Sequence, residues 1–233
     1  MRMHQRGFTL IEIAIVLVII GLLLGGVLKG QELITSARVR NLISVQDGVK
    51  AAFFGFQDRF RAFPGDYNQA SQNIANMTTT CGGGNGNGNG VIDATPVLES
   101  ILAWEHLSKA GFITGTFDCN TTESLSTTPN NPYNVFLQLV FDGAYGSANA
   151  SAQRHNLKTG AQIPVEIIAE VDRKIDDGRP FSGSFQFSAY RGNGAAAPQV
   201  GATTAAPNCA NTTGAGSWNS TVGESNCGGA VVF

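Results

Sequence analysis

"QRGFTLIEIAIVLVIIGLLLGG", residues 5–26, sets one glutamate, Glu12, inside an otherwise apolar run that opens at Phe8, directly after Arg6 and Gly7. Phe8 to Leu28 is 21 residues, which as a helix rising about 1.5 Å per residue covers about 30 Å, the thickness of a bilayer core. The run predicts a membrane-spanning helix. Arg2, His4 and Arg6 precede it, and the positive-inside bias puts that end in the cytoplasm and the remainder across the membrane. A secretory signal has a shorter apolar core, about 7 to 15 residues, followed by a small-residue cleavage site. The nearest such site, Thr35-Ser36-Ala37, lies nine residues beyond Phe8–Val27 and its last leucine, inside what reads as continuing helix. Removal of the whole run is therefore disfavoured.

The apolar positions continue as Leu42, Val45, Val49, Ala52, Phe53, Phe56 and Phe60. Their three-four spacing marks an amphipathic helix, and Phe63-Pro64-Gly65-Asp66 breaks it. One rod from about Leu10 to Phe60 thus combines a membrane anchor, apolar all round, with a spine that has one sticky face.

With 233 residues, 42% hydrophobic and 14% charged, the chain holds a sizeable domain besides this rod. Its net charge is −2 and its basic residues are scattered, so no surface for nucleic acid is indicated. Four cysteines, Cys81, Cys119, Cys209 and Cys227, show no C-x-x-C spacing. That disfavours zinc and favours disulfides in an oxidising compartment, where the topology places them. Of the three possible pairings the sequence-local one is preferred, Cys81 with Cys119 and Cys209 with Cys227.

Further along, Thr95-Pro96 reads as an N-cap and first helical residue. The helix after it places Leu98, Ile101, Leu102, Trp104 and Leu107 inward, Glu105-His106 toward solvent, and its end at Gly111. "NVFLQLVFDGAYG", residues 134–146, reads as a strand entering a tight turn at Asp142-Gly143. Pro164 to Asp177 reads as a second amphipathic helix, and "SGSFQFSAY" as a strand through Phe185 and Phe187. Asp176-Asp177-Gly178 reads as the turn that ends that helix, with cation binding as the alternative. Beyond Gly192 the composition turns to Gly, Ala, Thr and Asn, which predicts a stapled loop region.

"CGGGNGNGNGVID", residues 81–93, has no G-x-G-x-x-G, so a dinucleotide site is not indicated. Asn85, Asn87, Asn89, Gly90, the Val91 carbonyl and Asp93 do fall at the first, third, fifth, sixth, seventh and ninth positions of an EF-hand-type calcium loop. Asn stands at the first position, and Pro96 stands where a bidentate Glu belongs. Calcium then needs Asp66, Glu99 or another acid to fold in; the alternative is a plain glycine-asparagine turn beside a disulfide. No other cofactor is indicated.

The order Arg6-Gly7-Phe8-Thr9-Leu10-Ile11-Glu12, with the apolar stretch after it, closely resembles the N-terminal signal of type IV pilins and type II secretion pseudopilins. The resemblance implies that a prepilin peptidase cuts between Gly7 and Phe8 on the cytoplasmic side and N-methylates Phe8. It implies also that Glu12 pairs with the new amine of a neighbouring subunit. That pairing gives the glutamate a purpose: a lone carboxylate in lipid costs on the order of 3 kcal/mol at a helix centre and less toward its edge, while the helix N-terminus favours an anion. Gly21, Gly25, Gly26 and Gly30 weaken the same helix by about 1 kcal/mol each in water. They read either as close-packing positions or, by resemblance, as a segment that unwinds in a filament. "AFPGDYNQA", "GNGNGNG", "AWEHLSKAGFITG" and "KIDDGRPFSG" look like the globular portions of a subgroup of prepilin-like proteins.

The expected fold is α+β, a long N-terminal helical spine packed on a small antiparallel sheet with additional helices and disulfide-stapled loops. The expected organisation is a leader at 1–7, a membrane half-helix at 8–30, an amphipathic half-helix at 31–63 and a periplasmic or extracellular globular domain at 64–233. The implied function is a filament subunit, not an enzyme, that spans the bacterial inner membrane once before entering a filament. Its implied partners are prepilin peptidase, other pilin-like subunits, an inner-membrane assembly platform and inner-membrane lipid. The rival reading is a single-pass anchored periplasmic enzyme or ligand-binding protein; against it, there is no G-x-S-x-G, and His106 and His155 have no evident partners in sequence.

Overall fold

Helix α1 runs from Leu10 to Phe60 because nothing in it interrupts helical periodicity until Arg61, which takes a positive φ of 55° ahead of Pro64 and Gly65. The computed structural model describes residues 10–93, 98–146, 152–201, 208–213 and 216–233. These fall into two compact units, one ending at Arg38 and one running from Val39 to Phe233.

In the first unit every large apolar side chain from Leu10 to Leu28 is exposed, from 46% at Ile13 to 93% at Leu10. Such a surface is stable in lipid, where the backbone is already satisfied within the helix, and not in water. α1 is the helix among the described residues long and apolar enough to cross a membrane.

The second unit is α+β. Its remaining elements are α2 (Ala70–Asn73), α3 (Glu99–Lys109), β1 (Gln138–Asp142), β2 (Arg154–Lys158), α4 (Val165–Ile175), β3 (Phe185–Phe187), β4 (Val200–Gly201), β5 (Ala210–Asn211), β6 (Ser217–Trp218) and β7 (Gly229–Val232). An antiparallel sheet has the order β1-β2-β7-β3, and a smaller sheet has the order β4-β5-β6. Val39, Leu42, Val49, Ala52, Phe53 and Phe56 of α1 join Trp104 and Leu107 of α3, Ile168 and Val171 of α4, and Leu139, Leu157, Phe185 and Val231 of the main sheet in one core. Disulfides Cys81–Cys119 and Cys209–Cys227 close loops of 38 and 18 residues' separation. Both are the sequence-local pairs.

Three expectations are corrected. The tail is not only stapled loop, since β7 lies inside the main sheet, paired to β2 through Leu157↔Val231 and to β3 through Phe185↔Val231. A four-residue strand with a partner on each side draws its stability from neighbours distant in sequence, which no local pattern records. The β1 strand covers only Gln138–Asp142, and its partner begins at Arg154, so Asp142-Gly143 does not close a tight hairpin. Glu105 and His106 are fully buried rather than solvent-facing. The expected Thr95-Pro96 helix start lies outside the described residues.

Gln46 is also buried, at 4% exposure on the core face of α1, and neither Nε2 nor Oε1 has a hydrogen-bond partner among the described residues. A buried amide without partners costs about 1–3 kcal/mol. Gln46→Met, which keeps the length of the side chain, is expected to raise stability by about 1–2 kcal/mol. Chemical denaturation of the two proteins in the same detergent checks this; a lower midpoint for the variant contradicts it.

Candidate functional site

Gly7 and Phe8 lie outside the described residues. Glu12 sits in the first turn of α1 with an exposed side chain, where the unpaired amides of the helix start favour a negative charge. The glycines that follow, Gly21, Gly25, Gly26 and Gly30, are all within the helix, and an added Cβ at any of them meets nothing within 4 Å. The described N-terminal stretch is thus an uncovered apolar rod carrying one acid near its start.

The second candidate is the glycine-asparagine loop. It is assembled around two acids from outside it. The end of α1 turns through Pro64 and Gly65; Gly65 has φ +90°, and a Cβ there would sit 2.4 Å from the Glu99 carbonyl oxygen, so only glycine fits. This turn delivers Asp66, 3% exposed, whose Oδ1 and Oδ2 accept the main-chain N–H groups of Asn89 and Gly90 at 2.9 and 3.0 Å. From the first turn of α3, the fully buried Glu99 accepts the N–H groups of Asn87 and Asp93, both at 2.8 Å. Burial raises the Glu99 carboxyl above the ordinary range, against those two hydrogen bonds; Asp66 and Asp93 add to the rise.

The acids needed for a calcium loop therefore do fold in, yet the asparagines are not arranged as ligands. Asn85 turns to Ser71, accepting its N–H and donating to its Oγ, both at 2.9 Å. Oδ1 of Asn87 accepts the Asn89 N–H, and Oδ1 of Asn89 accepts the Val91 N–H. Both Nδ2 groups then donate to Asp93 Oδ2, at 3.2 and 2.7 Å. Rotating either amide to offer oxygen inward would set its NH₂ against a main-chain N–H, two donors face to face. As folded, the loop presents N–H groups to Asp93 and does not fit the EF-hand set of oxygen ligands.

Behind the loop, His106 accepts the Gly65 N–H on Nδ1 at 2.9 Å, which leaves the proton on Nε2, 3.2 Å from the Gly84 carbonyl. Its ring stacks on Phe56 at 5.8 Å, and burial pushes its pKa down to about 4. Glu105 accepts the N–H groups of Thr78 and Cys119 and the Thr78 hydroxyl. The pair that the sequence places at the surface is instead the internal fastening for both ends of the first disulfide loop.

Asp172, Asp176 and Asp177 bring carboxylate oxygens within 4.8 Å of one another. Each is engaged in the turn that ends α4: Asp172 accepts the Trp218 indole N–H at 2.6 Å, Asp176 the Phe185 N–H at 2.7 Å, and Asp177 the Arg179 N–H and the Ser182 hydroxyl. Burial raises Asp172 to about 6.

Of these places, the N-terminal one has a counterpart among known families. Residues 2–28 match the prokaryotic N-terminal methylation motif. The chain has a type IV pilin-like, prepilin N-terminus. No curated protein matches the chain, and no solved structure does. The matched residues include Glu12 and the apolar run behind it. The loop at 81–93 lies beyond the matched residues.

Proposed function

We propose that this pilin-like chain is a structural subunit of a type IV pilus or type II secretion pseudopilus filament. The observation that carries this reading is the methylation motif at residues 2–28 leading into a helix whose apolar side chains are exposed. In this reading prepilin peptidase cuts between Gly7 and Phe8 and the new Phe8 amine is methylated. The chain then spans the inner membrane once, N-terminus in the cytoplasm and the second unit in the periplasm, where its two disulfides persist. An assembly platform moves it into a helical filament in the periplasm or at the cell surface. Such a filament grows through a head-to-tail interface that does not close on itself. Glu12, with the Phe8 amine of the adjoining copy as its counter-charge, is the proposed recruitment contact. The subunit's work is assembly, not catalysis.

Intact-mass and peptide analysis of the mature protein tests the first step. The expected species begins at N-methylated Phe8; one that begins at Met1 or Arg38 contradicts the proposal.

A further inference from the structure

"GNGNGNG", residues 84–90, contains three consecutive Asn-Gly bonds, and Asn193-Gly194 makes a fourth. Asn-Gly is chemically fragile, because glycine has no side chain to hinder ring closure of its own nitrogen onto the preceding asparagine. The fold leaves little freedom to avoid it. A Cβ at Gly86 would lie 2.1 Å from the Gly65 carbonyl oxygen, one at Gly88 would lie 2.6 Å from Asn68 Nδ2, and Gly88 and Gly90 have φ of +74° and +88°. The asparagines are fixed as well, by the side-chain bonds to Ser71 and Asp93 described above.

What the fold does instead is occupy the nucleophiles. The Gly86 N–H donates to the Tyr67 carbonyl and the Gly88 N–H to the Asp66 carbonyl, both at 3.0 Å. The Gly90 N–H donates to Asp66 Oδ2 at 3.0 Å, and the Gly194 N–H to the Arg191 carbonyl at 3.0 Å. An N–H held by an acceptor resists deprotonation and cannot swing onto the neighbouring side chain. Gly86, Gly88 and Gly194 are held by main-chain carbonyls, whereas Gly90 alone among these four depends on a side chain.

We infer that the Asp66 carboxylate acts as a protecting clamp on a latent deamidation site, Asn89-Gly90. Once released, the Gly90 nitrogen loses its proton to hydroxide and attacks Asn89 Cγ. The N–Cγ bond forms, the Cγ–Nδ2 bond breaks, and Nδ2 leaves as ammonia after taking a proton from water. Water then opens the resulting succinimide at either carbonyl, giving aspartate or isoaspartate. Each event exchanges an amide for a carboxylic acid, a gain of about 1 Da, and adds a negative charge beside Asp93. Asn89 is exposed, so water reaches the site.

The test is peptide mapping by mass spectrometry of the full chain in detergent, aged at mildly alkaline pH, with the same chain unfolded in guanidinium chloride as reference. In the folded wild type, Asn85, Asn87 and Asn89 are expected to react more slowly than in the unfolded chain. Asp66→Ala removes the Gly90 acceptor but leaves the carbonyls that hold Gly86 and Gly88, so Asn89 is expected to react about tenfold faster while Asn85 does not change. Asp66→Asn, which keeps one oxygen and the side-chain shape, guards against simple unfolding and should give a smaller rise at the same residue alone. Equal rates at Asn89 in folded and unfolded wild type would overturn the proposal. So would an unchanged Asn89 in both variants, or acceleration of all three asparagines together in Asp66→Asn.

Discussion

Replacing Glu12 with lysine is expected to leave the chain in the membrane and out of the filament proposed above. Insertion depends on the sum of the span. Fifteen Leu, Ile, Val and Phe residues lie between 8 and 28, each favouring the bilayer by about 0.3–0.6 kcal/mol at its centre, against about 2.5–3.5 kcal/mol for one lysine there and less near the end of the helix. The anchor therefore survives the exchange. The assembly contact does not, in the proposed reading, because the lysine sets a cation against both the helix N-terminus and the Phe8 amine of the next copy. Membrane fractions should hold the variant at wild-type level, while sheared or secreted filaments should contain none. Glu12→Gln, which removes the charge but keeps the shape, is expected to fall between the two. Normal incorporation of the lysine variant would defeat the pairing argument, whereas loss of the protein from the membrane would point to failed insertion instead.

This outcome is predictable without the structure because everything it uses is local: one acid, its distance from Gly7 and the apolar run. The same holds for the end of α1, where Pro64 and Gly65 act on their own neighbours, and for α4, where Val165, Ile168 and Val171 of the helical repeat are buried and its last member, Ile175, is partly so. Legibility fails where a residue's setting is fixed by distant partners. β2 reads as Arg-His-Asn-Leu-Lys and carries no alternating apolar signal. It is a strand because Leu157 enters the core while Asn156 and Lys158, nearly fully buried on the other face, reach Asp142 of β1 at 3.0 and 2.5 Å. Asn156 and Lys158 would be costly there without that carboxylate. The loop at 81–93 shows both limits together. Its asparagine spacing is visible in sequence, but the direction each amide points is set by Ser71, by Asp93 and by the main-chain N–H groups of Asn89 and Val91, and that direction decides between a metal cage and a self-supporting turn.

The His106 contribution to the stability of the second unit is expected to be lost as pH falls from about 6.5 through about 4, and it can be isolated from the other titrating groups. The pKa of His106 is pushed down from 6.5 to about 4 by burial, and the geometry gives the same direction, since protonating Nδ1 would turn an N–H against the N–H of Gly65. The native state thus binds fewer protons than the unfolded state across that window, so this contribution is complete above pH 6.5 and disappears as pH falls through about 4. It amounts to on the order of 3 kcal/mol. His155, packed against Phe63 at 4.3 Å and Phe141 at 5.0 Å, is likewise lowered to about 4 by burial and acts with the same sign; as a residue it is half-buried. Asp172 opposes both. Raised from 3.8 to about 6 by burial, against its bonds to Trp218 and Gly178, it stabilises below 3.8 and loses that contribution as pH rises through about 6. Glu99 and Glu123, also raised by burial, add to the opposition, so the slope of the whole protein is a partial cancellation. His106→Gln separates the terms, because a glutamine amide reaches the position of Nε2 without titrating. The stability difference between wild type and this variant, measured by denaturation in detergent, should shrink by about 2–3 kcal/mol from pH 7 to pH 4.5, while the variant keeps the slopes due to His155 and the acids. A difference that stays constant with pH would mean that His106 is as readily protonated in the fold as in the unfolded chain, and the tautomer assigned from its contact with Gly65 would be wrong.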